Sequence, residues 1–232
     1  MKKTFIIFIL LIITAPVYGA TRFYLPSTNT AEITTIGFDA GWGNTTAADQ
    51  IRLNKPGIKI NSAMTDKVGT SVNTAISVLC RQYVSDPIAA QTIIGTVKGQ
   101  VRGYEGNANH DSVSAIGIRI VSNNGATVRG TLEAITYPTL LATNEYGLSI
   151  ANRYTPISST ALSSVTAQSG DRIVIEIGYH RYGTTPAGSS TLNFGDNGAI
   201  DLPEDQTTTS ATMEPWIEFS QDIIFPSVTV ND

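Results

Sequence analysis

Hydrophobic and polar residues alternate along several stretches of the chain, so that an extended backbone would carry its apolar side chains on one side. From Asp171 to His180, Ile173, Ile175, Ile177 and Tyr179 fall on one face, and Arg172, Glu176 and His180 on the other. A period of two marks a strand with one packed face and one wet face; only Val174 breaks it. Between Ile93 and Gly103, Ile93, Val97 and Val101 share a face with Gly95 and Gly99, opposite Thr96, Lys98, Gln100 and Arg102. Those glycines predict bulges or the close approach of a covering segment. Three further runs follow the same rule: Ile76, Val78 and Cys80; Ile116, Ile118 and Ile120; and Val128, Gly130, Leu132 and Ala134.

Small polar clusters separate these runs at 106–109, 123–125 and 169–171. Asn124-Gly125 is a strong hairpin signal, because both residues tolerate positive φ. It predicts that Ser112 to Ser122 pairs with Thr127 to Ile135. Phe23 and Leu25 near the start, and Trp216, Ile217, Phe219 and Phe225 near the finish, predict that the first and last strands dock side by side. Residues 137–160 follow neither a two-residue nor a 3.6-residue period and read as a long excursion with room for one helical turn. The expected fold is all-β, an antiparallel β-sandwich of jelly-roll type formed by residues 20–232 as one domain.

The first nineteen residues fall outside that pattern. Lys2 and Lys3 precede an apolar run from Phe5 to Ile13, and Val17 and Gly19 supply small residues at a cleavage site. The run is too short to span a bilayer, which takes about 20 residues. Residues 1–19 therefore read as an export signal, and a secreted or extracellular location follows. The chain has a formal net charge of −4, more negative once the leader lysines are removed. Its basic residues are scattered singly, which argues against nucleic acid and against a polybasic membrane patch. No membrane insertion is expected after signal removal.

Reactive groups are few. There is one cysteine, and there are two histidines, His110 and His180. Cys80 shares the apolar face of Ile76 and Val78 and reads as a small core residue, with Arg81 on the opposite face. Glu176 and Glu133 are the one carboxylate pair suited to glycoside hydrolysis, yet both alternate with apolar neighbours as a solvated sheet face does. No catalytic residue is assigned, and no cofactor is expected beyond a calcium ion. Asn107, Asn109 and Asp111 would offer oxygen ligands to that ion at every second position of one loop. The stretch holding Asp196, Asp201, Glu204 and Asp205 is a second such candidate. Sugar binding would use aromatic rings beside polar groups: Trp42, in the glycine-rich 39–43 loop, with Tyr104, Tyr179 and Tyr182.

The segments Ala20 to Pro26, Cys80 to Ser85, Gly170 to Tyr179, Leu192 to Asp196 and Pro215 to Ser220, taken together, resemble a structural-type family encoded by tailed phages and environmental viral sequences. The resemblance covers nearly the whole chain after the leader. It implies a non-catalytic particle component, a sandwich displayed on a virion, with self-association or other virion or surface proteins as partners. The export signal departs from that family, whose members assemble inside the cell, and points instead to a surface protein built on the same sandwich. The expectation is a structural or surface-display protein. A secreted carbohydrate-binding module with surface glycans as partners is the alternative, and a glycoside hydrolase stands third.

Overall fold

The computed structural model describes residues 19–33, 36–60, 62–69, 73–155, 159–184, 186–196, 198, 200–210 and 212–226. The export segment, apart from Gly19, lies outside the described residues.

The fold is an all-β sandwich, and no helix is present among the described residues. One layer has five strands in the order β2 (Asp49–Arg52), β4 (Ile76–Val84), β12 (Arg172–Arg181), β7 (Ser112–Val121) and β8 (Val128–Thr136). All its pairings are antiparallel except β2 with β4. The other layer is organised around β6 (Thr96–Glu105). Along that strand pair β14 (Trp216–Phe219), β13 (Ser190–Asp196), β9 (Ala151–Tyr154) and β10 (Thr160–Ala161). Outside these, β1 (Thr21–Tyr24) joins β14 and β3 (Ser62–Val68) joins β13. A small ribbon of β5 (Gln91–Ile93) and β11 (Val165–Ala167) closes one end.

The core lies where the alternating patterns place it. Ile116, Ile118, Ile120, Ile173, Ile175 and Ile177 of one layer meet Val97, Val101, Leu192, Phe194, Ile217 and Phe219 of the other. Burying such side chains contributes roughly 1.5–3 kcal/mol each and dominates the stability of the layer pair. The expected hairpin forms, with β7 pairing β8 across the Asn124-Gly125 turn. The first and last strands also pair, Thr21 opposite Phe219 and Tyr24 opposite Trp216. The run from Ile93 to Gly103 is broken between β5 and β6 by Gly95, whose φ of +100° few other residues adopt.

Residues 137–160 hold one isolated turn, in which the Asn144 and Glu145 N–H groups both donate to the Leu141 carbonyl at 2.8 and 2.9 Å, and β9 and the start of β10 lie there as well. Three expectations are corrected. In β8, Val128 and Ala134 are exposed, since register shifts opposite β7 leave only Leu132 of that set in the core. Arg81 does not face away from Cys80. The β4–β12 register shifts between Ile177 and Gly178, leaving Cys80 unpaired as a bulge, so Arg81 also turns inward. There its guanidinium donates to the carbonyls of Pro26 (3.0 Å) and Ser27 (2.6 Å) and lies over the Phe194 ring.

The third correction concerns the wet face. Strands β7 and β12 are buried at every residue, on both sides of their sheet. A segment containing Ile33, Ile36, Phe38, Trp42 and Ala48 lies across the outer face. Val174, the apparent break in alternation, packs there with Ile36, Val84 and Val121.

Candidate functional site

The covering segment is pinned by one carboxylate. Glu176, expected in solvent, is 1% exposed. It accepts from Trp42 Nε1 at 2.8 Å, Gln82 Nε2 at 2.8 Å, Arg119 Nη2 at 2.7 Å and the Asp39 backbone N–H at 3.1 Å. Arg119 and Gln82 also donate to the Gly37 carbonyl, at 2.8 and 3.3 Å. A carboxylate buried this deeply is stable only when its lone pairs are met by donors and its charge by a cation; here both conditions hold. Trp42 is 6% exposed, its indole lodged between Leu79 and Ala115. Gly178 makes the room, since a Cβ there would stand 2.9 Å from Trp42 Cζ3. Trp42 is therefore a structural anchor, not the exposed sugar platform expected of it. Glu176 is enclosed with it, and Glu133, half-buried on β8, does not join it.

Beside this anchor the outer face opens into a depression of about 430 Å³, lined by Asp39, Gly41, Ser77, Thr131, Ile135 and Tyr137. Tyr137 is 36% exposed. Its ring stacks on His180, with centroids 3.7 Å apart and planes 5° from parallel, and Tyr182 meets both rings edge-on. The Tyr182 hydroxyl donates to the Pro138 carbonyl at 3.1 Å, which ties this aromatic group to the segment that follows β8. Ser77 Oγ and His180 Nδ1 are 2.9 Å apart. Burial lowers the His180 pKa and keeps the imidazole neutral at physiological pH. Among the described residues no carboxylate bonds His180.

The remaining expected residues lie elsewhere. Tyr104 is on β6 in the other layer, its hydroxyl 3.4 Å from Asp66 Oδ2, and Tyr179 faces the core. Cys80 is buried, and desolvation pushes its thiol up to about 12 despite Lys67 and Arg81 nearby. In the 107–111 loop, Asn107 Oδ1 already accepts the Asn109 N–H at 3.0 Å. His110 is buried against Gly188, and burial lowers its pKa. Asp201 is held by Arg22, Lys59 and Tyr24, while Glu204 is held by Lys98. Among the described residues no group of three His, Cys, Asp or Glu converges as a metal-ligand set.

Sequence reasoning missed Tyr137, Ser77 and Asp39. Tyr137 sits where the strand pattern ends, and no local signal marks its partnership with His180, 43 positions later in sequence.

No protein family matches the chain, and no curated protein matches it. Solved structures overlap it slightly. A CocE/NonD family hydrolase from Staphylococcus aureus has 10% identity and a TM-score of 0.27, with 90% of this chain and 36% of that chain covered. The structure of infectious bursal disease virus, Gx strain, has 10% identity and a TM-score of 0.25, with 80% of this chain and 43% of that chain covered. This chain spans less than half the length of either. Overlaps of this size assign neither an activity nor an assembly.

Proposed function

We propose that the chain is a non-catalytic structural or surface-display sandwich, phage-related, working outside the cell or on a particle. One observation carries the reading: several of the buried charged and polar groups are committed to holding loops onto the sheets. Glu176 is saturated by four donors, and Arg81 is bound to the carbonyls of Pro26 and Ser27. On the seven-stranded layer, Asn152 donates to the Pro203 carbonyl at 2.8 Å, Arg153 to Gln206 at 2.7 Å and Trp216 to Leu202 at 2.7 Å. Loops clamped in this way suit a scaffold that presents its rim rather than one that reorganises around a reaction. The segments that resemble tailed-phage proteins are the ground for the phage relation, and the signal-like pattern of residues 1–19 is the ground for a place outside the cell.

The test is mass spectrometry of purified particles and of culture filtrate from the producing cells. The chain should appear in one of them at the stoichiometry of a structural component. Its absence from both overturns the reading. So does a turnover that is lost in both Ser77→Ala and His180→Ala.

A further inference from the structure

The depression beside Tyr137 has features that a display scaffold does not need. Its volume of about 430 Å³ falls in the range of small-ligand sites, about 300–1,000 Å³. One wall is aromatic. Tyr137 has its ring fixed by His180 on one side and met edge-on by Tyr182, and 36% of the residue is exposed. The opposite rim is polar and held in place: the Asp39 backbone is bonded to buried Glu176, and its Oδ1 accepts the Gly41 N–H at 2.9 Å. Ser77 and Thr131 add hydroxyls, and Ile135 adds an apolar floor. No cationic side chain is among the described lining residues.

From this arrangement we infer a binding site for a neutral hexopyranose unit of a glycan, stacked on Tyr137 with its hydroxyls bonded to Asp39, Ser77 and Thr131. A pyranose has an apolar C–H face that packs on an aromatic ring, and its vicinal hydroxyls suit a carboxylate acceptor flanked by hydroxyls. The immobilised ring and the clamped Asp39 lose little freedom on binding, which favours affinity from a small contact. The Asp39 carboxylate stands at the rim, while Arg119, 3.7 Å from its Oδ2, is buried, and this order disfavours acidic sugars. This site does not rest on the display role. Particle or filtrate content tests that role alone, and the binding assay tests this site alone.

The experiment uses the full chain on an array of neutral and acidic oligosaccharides, followed by calorimetric titration with the best-bound neutral glycan. Tyr137→Ala should weaken binding by about tenfold or more, while Tyr137→Phe should stay within about threefold, since the ring face and not the hydroxyl carries the contact. Thr131→Trp, exposed on β8 opposite Arg119, should fill the depression and abolish binding, with the melting temperature measured alongside and expected to stay within a few degrees of the parent. Retention of no neutral glycan overturns the inference. So does a preference for acidic glycans, or binding that survives both Tyr137→Ala and Thr131→Trp.

Discussion

Both layers of the sandwich turn polar side chains outward, and both outer faces are then covered by chain, but the two covers are held differently. On the five-stranded layer one carboxylate, Glu176, sits at the centre and gathers four donors, and the one donor left over, Arg119 Nε, lies 3.7 Å from Asp39 Oδ2. On the seven-stranded layer the centre is Gln100 and Arg102, with Asn152 and Glu214 beside them. The donors there reach backbone carbonyls of the 195–210 stretch, and several buried atoms bond nothing among the described residues: both amide atoms of Gln100, Arg102 Nε, Asn152 Oδ1 and Glu214 Oε1. Unpaired buried polar atoms are costly. The contrast teaches that outward polar positions do not fix how firmly a roof sits; what matters is whether one charged acceptor gathers the donors. The Glu176 roof is the tight one, and the 200–210 strap is the one that opens first.

The largest test removes the gathering acceptor. Glu176→Ala leaves the Arg119 guanidinium with only the more distant Asp39 carboxylate, 3.7 Å away, and leaves Trp42 Nε1 and the Asp39 N–H without their acceptor, and should cost about 3–5 kcal/mol. A denaturant midpoint unchanged from the parent chain would refute the central role of that carboxylate. The next test uses pH. Burial pushes Glu105 and Glu214 up to about 7, so in the folded state they keep protons that the unfolded chain has already released. Stability must then fall as pH rises through that value. The two histidines, both lowered, act in the opposite sense only below about 6.5. Between pH 6.5 and 8 the melting temperature should therefore drop by about 4 °C, and Glu214→Gln should remove about half of that drop.

A smaller effect of opposite sign is expected at Gln100. Since neither end of its amide is bonded among the described residues, Gln100→Met should be neutral or stabilising by about 1 kcal/mol, measured in the same denaturant titration. A loss beyond that range would show that the amide has partners after all. Last, hydrogen exchange should rank the two covers. The Asp39 amide, bonded to Glu176, should exchange more slowly than those of Thr207 and Thr208, which are bonded to the exposed side of Asp205. The reverse order would sink the comparison.

Much of this fold can be read from residue order because alternation and turn chemistry are local. Ile173, Ile175 and Ile177 announce β12, and Asn124-Gly125 announces the β7–β8 hairpin. What stays hidden depends on partners far apart in sequence. Nothing around Glu176 signals that Trp42, 134 positions earlier, will cover it, so its alternation reads as a wet face. Val174 was the one local hint, an apolar residue on a face otherwise polar. The bulge at Cys80 is equally silent, since a single unpaired residue leaves the hydrophobic count unchanged while turning Arg81 inward. The candidate site suffers most, because Tyr137, Asp39 and Ser77 come from three separate segments, each unremarkable alone.

One feature of the fold reaches beyond the site. The Thr21 hydroxyl accepts from the Ile223 backbone N–H at 2.7 Å, and β1 lies against β14 along its whole length. The polypeptide thus comes into the sandwich and goes out of it at a single spot. A module with that geometry can be spliced into a surface loop of a carrier protein as a cassette, or rejoined and reopened at the Asn124-Gly125 turn, without disturbing its interior.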